Sequence, residues 1–137
     1  MQLNAYLLFN GSCEAAFKFY ERALGGTIEA MMPFGQSPGS EKMPDSVKKL
    51  VMHVSLKAAG TLLMGSDTTP DRPVPPPGGF KLSIGVSTPE EADRVFNALS
   101  EGGKIDLPIG ETFWSPRFGM LTDKFGVAWM VNCAPKA

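Results

Sequence analysis

Apolar and polar positions alternate from the start of the chain. Leu3, Ala5, Leu7 and Phe9 fall on every second residue and predict a strand over 3–9. Asn10-Gly11-Ser12 breaks the pattern as a turn with a capping residue. The apolar spacing then becomes helical over 13–24, where Ala16, Phe17, Tyr20 and Leu24 share one stripe. Gly25-Gly26 ends that helix, one glycine supplying a left-handed cap. A second strand is predicted over 27–33. A long loop over 34–47 follows, punctuated by Gly35, Pro38, Gly39 and Pro44, and is read as a lid or interface segment. Residues 50–56 and 61–65 read as a hairpin joined at Lys57-Ala58-Ala59-Gly60. Five prolines then make Thr68 to Gly79 a stiff, extended linker.

The second half repeats the first. A strand is predicted over 80–86, a helix over 89–101, a strand over 104–108, and a hairpin of 117–122 and 127–132 around Asp123-Lys124-Phe125-Gly126. Glu14-Ala15, Phe19, Gly25-Gly26 and Ile28 recur seventy-seven residues later as Glu91-Ala92, Phe96, Gly102-Gly103 and Ile105. Two copies of a multi-element unit mark a duplicated half-domain rather than a solenoid. The expected organisation is one domain over 1–137, with module 1 at 1–67, a linker at 68–79 and module 2 at 80–137. The expected fold class is α+β: two tandem βαβββ modules forming a cup-shaped mixed sheet, with helices on its outer face.

Composition narrows the function classes. The chain has 137 residues, 43% of them apolar and 20% charged, with a formal net charge of −1. Scattered charges give no footprint for nucleic acid. No apolar run approaches the ~18 residues of a membrane span, and the N-terminus opens into a strand pattern rather than a leader, so a cytoplasmic protein is expected. Cys13 and Cys133 lack C-x-x-C spacing and are read as two reduced thiols, although the helix start at Cys13 leaves a reactive thiol open. Nucleophile-elbow, P-loop and dinucleotide signatures are absent, since the Gly-Gly pairs end helices instead of opening them.

Strand periodicity separates two faces. Leu3, Ala5, Leu7, Phe9 and their repeats Phe80, Leu82, Ile84 and Val86 are assigned to the helix-covered core. The opposite face then takes Asn4, Tyr6, Lys81 and Ser83. Its hairpin members are Val51, His53, Ser55 and Leu63, with Arg117, Gly119, Leu121 and Trp129 as counterparts. This mixture of polar and aromatic groups reads as the lining of a cup for a small organic ligand.

Several runs carry a family resemblance along nearly the whole chain. They are N-A-Y-L-L-F-N-G-S-C-E-A-A-F-K-F-Y at Asn4 to Tyr20, V-M-H-V at Val51 to Val54 and L-L-M-G-S-D at Leu62 to Asp67. They continue with E-T-F-W at Glu111 to Trp114 and R-F-G-M-L-T-D-K-F-G-V-A-W-M-V-N at Arg117 to Asn132. The chain resembles the vicinal oxygen chelate superfamily of glyoxalases, extradiol dioxygenases and bleomycin-resistance proteins, and within it the PhnB-like branch. Some of that branch carry a demethylubiquinone methyltransferase label. No glycine-rich strand–helix turn suits the cofactor of such an enzyme, and that activity is not expected here.

The resemblance implies a homodimer and, in the superfamily's enzymes, a divalent ion held by His, Glu or Gln from the first and last strands of each half. Those positions fall at about Asn4 (or Ala5), Leu63 (or Met64), Lys81 and Trp129, none of them a good ligand for such an ion. No metal and no other cofactor is expected. An improvised divalent site through His53 and Glu111 stays open.

His53, the only histidine, is read as a hydrogen-bonded or ligand-binding residue, and as the best general-base candidate if it lies in the cup. Glu111 is either an acid–base partner or half of an ion pair with Arg117 or Lys81. Trp114 and Trp129 stack on a planar ligand or pack structurally. The candidate ligand-binding set is therefore Asn4, Tyr6, His53, Ser55, Leu63, Lys81, Ser83, Trp114, Arg117 and Trp129, with His53 and Glu111 as catalytic candidates. Three functions follow in order: a metal-free small-molecule binding protein, a lyase, isomerase or dioxygenase with an altered metal site, and a dimeric interaction protein with a vestigial cup.

Overall fold

The computed structural model of the chain describes residues 1–135. They form two compact units, Met1–Pro75 and a second beginning at Pro76. In the first, β1 (Tyr6–Phe9) leads to α1 (Cys13–Leu24), β2 (Thr27–Pro33), the short helix α2 (Asp45–Lys48), β3 (Val51–Ala58) and β4 (Thr61–Asp67). In the second, β5 (Leu82–Val86) leads to α3 (Pro89–Ser100), β6 (Lys104–Gly110), β7 (Phe118–Thr122) and β8 (Ala128–Cys133). Each unit holds a four-stranded mixed sheet, ordered β1-β4-β3-β2 and β5-β8-β7-β6. The outer pair β1–β4, like β5–β8, is parallel, and the other pairings are antiparallel. The fold is α+β, two βαβββ units in tandem.

The helices form where an apolar stripe meets a start signal. In α1 the buried stripe is Cys13, Ala16, Phe17, Tyr20 and Ala23, and Gly25 closes it at φ 68° with its N–H on the Glu21 carbonyl. In α3, the Thr88 hydroxyl accepts the Glu91 N–H at 3.1 Å, Pro89 opens the first turn, and Ala92, Val95, Phe96 and Leu99 are buried. Each helix lies so close to its sheet that a glycine is needed beneath it. A Cβ on Gly65 in β4 would meet Phe17 at 2.7 Å, and one on Gly119 in β7 would meet Phe96 at 2.7 Å.

The repeated Gly-Gly pair has two separate jobs. Gly25 and Gly102 take left-handed φ values of 68° and 72°. Gly26 and Gly103 instead allow close approach: a Cβ on Gly26 would lie 2.5 Å from the Lys57 carbonyl oxygen, and one on Gly103 would strike the Thr122 carbonyl oxygen. Around Gly25 the space is open, whereas the atoms facing Gly103 are rigid backbone. Gly103→Ala is therefore expected to cost about 2 kcal/mol through overpacking. Gly25→Ala should cost about 1 kcal/mol through φ alone. Thermal denaturation of the two variants checks that order.

Two buried aspartates collect the backbone donors that hairpins and helix starts leave over. Asp67, at the end of β4, accepts the Gly11 and Cys13 N–H groups on Oδ1 at 2.9 and 3.0 Å and the Val51 N–H on Oδ2 at 3.0 Å. Asp123, in the β7–β8 turn, accepts the Phe125 and Val127 N–H groups on Oδ1 at 2.8 and 3.1 Å. Its Oδ2 accepts Trp129 Nε1–H at 2.8 Å.

The structure departs from the sequence reading in three places. The strand predicted over 3–9 is shorter because Asn4 bonds the Leu62 carbonyl with its side chain at 3.1 Å, and Leu3 is 99% exposed; its repeat is shorter too, starting at Leu82, so that Phe80 is exposed rather than in the core. The loop over 34–47 contains the 3₁₀ turns Phe34–Gln36 and Ser40–Lys42 as well as most of α2. It is closed by Phe34 N–H on the Leu50 carbonyl at 2.9 Å and by the Ser40 hydroxyl on the Gly35 carbonyl at 2.9 Å. The third departure concerns which residues share a face.

Candidate functional site

Register decides the faces. The β3–β4 turn has only two central residues, Ala59 at φ 53° and Gly60 at φ 75°, a type I′ geometry that pairs Ala58 with Thr61. Leu56 then lies opposite Leu63, and Ser55 opposite Met64. Leu63 is therefore on the helix side with Leu56, only 9% exposed, rather than on the open face. The repeat carries the same correction to Trp129. It pairs with Leu82 and Leu121, is 2% exposed, and is held by Asp123. Val51, Gly119 and Leu121 are also buried on that side. Val51 arrives there through an irregularity at Met52, where Met32 pairs with His53 and Pro33 with Val51.

In the first unit, the open face carries Tyr6 and Leu8 from β1, Met64 and Ser66 from β4, His53 and Ser55 from β3, and Ala30 and Met32 from β2. Tyr6 leans across β4 to reach β3. Its ring lies 5.7 Å from that of His53 at an interplanar angle of 28°, and its hydroxyl is 2.9 Å from His53 Nδ1. Three predicted residues, Tyr6, His53 and Ser55, thus lie together on this face. Asn4 lies just before β1, its amide committed to Leu62.

In the second unit, Ser83 lies on the open face, opposite Met130. Lys81 is exposed one residue before β5. The face also carries Phe118, Met120, Met130 and Asn132, which the sequence reading missed. The signal was the β7–β8 pairing, which sets Met120 opposite Met130 and Phe118 opposite Asn132. Asn132 Oδ1 is buried without a hydrogen-bond partner among the described residues. Trp114 packs edge-on against Phe118 at 5.2 Å and against Phe113 at 4.8 Å. Arg117 turns the other way: its Nε lies 3.1 Å from Asp93 Oδ1 on α3, so its ion pair is with neither Glu111 nor a ligand on the open face.

Glu111 is exposed, at the lip of a cleft of about 390 Å³ with Phe113, Trp114, Ser115, Pro116 and Cys133. The loop is built, not slack: Thr112 N–H donates to the Ser115 carbonyl at 2.9 Å, and Ser115 Oγ donates to the Cys133 carbonyl at 2.6 Å.

Of the metal positions that the resemblance implies, Leu63 and Trp129 lie on the helix side, which leaves Asn4, Lys81 and the open-face neighbours Leu62, Met64, Ala128 and Met130. These carry amide, ammonium, thioether or plain aliphatic side chains, not the carboxylates and imidazoles that hold a hard divalent ion. Among the described residues, no group of three His, Cys, Asp or Glu side chains converges.

Cys13 sits at the start of α1 but is fully buried. Burial first, then Asp67 and Glu14, push its thiol well above the ordinary 9.0, opposite to an activated cysteine. Cys133 is also buried, and both thiols are free. A thiol-specific reagent at pH 8 should label neither in the native protein and both after denaturation. The sign of the Cys13 shift also fixes a pH dependence: its contribution is fully present below pH 9.0 and is lost as pH rises further. The alkaline loss of melting temperature should be shallower in Cys13→Ala.

Residues 2–131 match the family model of the Glyoxalase/Bleomycin resistance protein/Dioxygenase superfamily. Protein YjdN of Escherichia coli is 36% identical over 140 aligned positions, covering 96% of this chain and 95% of its own. The crystal structure of protein PA1353 from Pseudomonas aeruginosa superimposes with a TM-score of 0.90 at 48% identity, covering 99% of each chain. The PhnB protein of Bacillus cereus superimposes with a TM-score of 0.77 at 28% identity, covering 98% of this chain and all of its own. No described helix is long and apolar enough to cross a membrane.

Proposed function

The chain belongs to the glyoxalase/bleomycin resistance/dioxygenase superfamily and is PhnB-like, and on that premise we propose that it is a small-molecule binding protein that works without the superfamily's metal. The observation that carries the reading is the makeup of the open sheet faces. An antiparallel face left to water normally alternates toward charged and polar groups. Here the faces carry Tyr6, Leu8, Met32 and Met64 in one unit and Phe118, Met120 and Met130 in the other. A few polar groups, His53, Ser55 and Asn132 Oδ1, stand among them. Apolar walls with sparse polar groups are the makeup of a ligand site, and thioethers adapt to varied shapes. In the second unit, Ser83 lies on the open face, with Trp114 packed on Phe118 and Lys81 exposed just before β5.

A thermal-shift screen of small aromatic and aliphatic compounds against wild type and Met64→Glu tests the reading. Met64 is half-buried on the open face, so the variant adds a charge to the proposed floor and leaves the helix side intact. Compounds that stabilise wild type and not a normally folded Met64→Glu are the expected result. Equal stabilisation of both would place binding elsewhere.

The same reading includes a cytoplasmic homodimer. Two unbridged cysteines support the compartment, and the edge strand β6, with Ile105 and Leu107 exposed, supports association. Light scattering after size exclusion should give twice the monomer mass, and a lower mass for Ile105→Lys.

A further inference from the structure

The contact between Tyr6 Oη and His53 Nδ1 fixes more than the position of two rings. A neutral imidazole has one N–H and one bare nitrogen, and the partner of one nitrogen selects the state of the other. A phenol hydroxyl carries a single acidic proton, while a bare imidazole nitrogen is a strong acceptor. Oη lies 2.9 Å from Nδ1, a distance that suits donation in either direction; the phenol is the stronger acid and the bare imidazole nitrogen the stronger acceptor, which favours donation from Oη to Nδ1. That direction puts the ring proton on Nε2, which has no partner among the described residues. In this state His53 has no free lone pair with which to take a proton. In that tautomer it offers a hydrogen-bond donor at Nε2.

We propose that Tyr6 sets His53 as an Nε2–H donor, and that the first unit's open face therefore takes ligands with an apolar body and a carbonyl or carboxylate acceptor. This rests on the reading of that face as a ligand floor. Leu8, Met32 and Met64 supply apolar contact around the donor. Tyr6 does not need to touch the ligand: it acts as a positioning residue, holding the imidazole by its stack and its hydrogen bond.

His53 is the only histidine, so its ring nitrogens can be read directly by long-range ¹H–¹⁵N correlation at neutral pH. The expected spectrum shows a protonated Nε2 and an unprotonated, hydrogen-bonded Nδ1. In Tyr6→Phe the Nδ1 resonance should move toward that of an unbonded imidazole nitrogen while the fold is kept. A proton on Nδ1 in wild type would overturn the assignment whatever the protein binds.

Acetophenone and ethylbenzene, matched except for the carbonyl, then test the ligand class. Acetophenone should perturb the Nε2–H resonance and bind about tenfold more tightly than ethylbenzene, an advantage lost in His53→Ala. Equal binding of the two at this face would overturn the acceptor requirement and leave the ligand floor standing. Binding of neither would overturn the ligand class together with the reading beneath it.

Discussion

Asp67→Ala is expected to lower stability by about 3 kcal/mol, and the melting temperature by roughly 10 °C. The carboxylate is 3% exposed and accepts three backbone N–H groups from two separate places, the β1–α1 turn and the start of β3. Alanine leaves all three donors without a partner, and those of Cys13 and Val51 belong to residues that water scarcely reaches. Each stranded buried donor costs about 1–3 kcal/mol, partly relieved by relaxation. Asp67→Asn makes a sharper comparison. Its amide oxygen can keep Gly11 and Cys13, but its NH₂ group then faces the Val51 N–H, so about half the loss should remain. If asparagine matched wild type, the charge would contribute nothing and the account of this turn would be wrong.

Asp123→Ala should produce a loss of similar size in the second unit. Its carboxylate holds the turn through Phe125 and Val127 and fixes Trp129 by the indole N–H. Trp129 and Val127 are both 2% exposed, so neither donor finds water once the carboxylate is removed. A loss of about 3 kcal/mol is expected, with the near-ultraviolet circular dichroism of Trp129 broadened before the main transition. Stability unchanged in Asp123→Ala would show that the turn holds itself.

How far the sequence could be read is clearest at these same residues. The duplication, the two helices and the order βαβββ were legible because the repeat, the glycine pairs and the apolar stripes are local signals. Tyr6, His53 and Ser55 were placed on one face correctly, since simple alternation holds along β1 and along β3 from His53 onward, whereas Val51 was misplaced because the irregularity at Met52 breaks it. Leu63 and Trp129 were placed on the wrong side because the face of β4 and β8 depends on register, and a single-residue slip inverts a strand. The missing information lay in the turn: Ala59 in a left-handed conformation, a position that alanine rarely takes, makes the loop two residues long. Composition gave no hint of that. Arg117 escaped for a different reason, since its ion pair with Asp93 joins the residue before β7 to a helix twenty-four residues earlier and leaves no local pattern. The aspartates were invisible as structural anchors, because an Asp at a turn looks the same whether it faces water or gathers buried amides.

The most direct measurement is elemental analysis of the protein by mass spectrometry, as purified and after incubation with nickel, manganese, zinc or iron(II) followed by dialysis, with His53→Ala alongside. The expected result is substoichiometric metal, with no difference between wild type and variant. One equivalent of metal per chain, present in wild type and lost in His53→Ala, would contradict a metal-free ligand site and return the protein to the superfamily's metal chemistry.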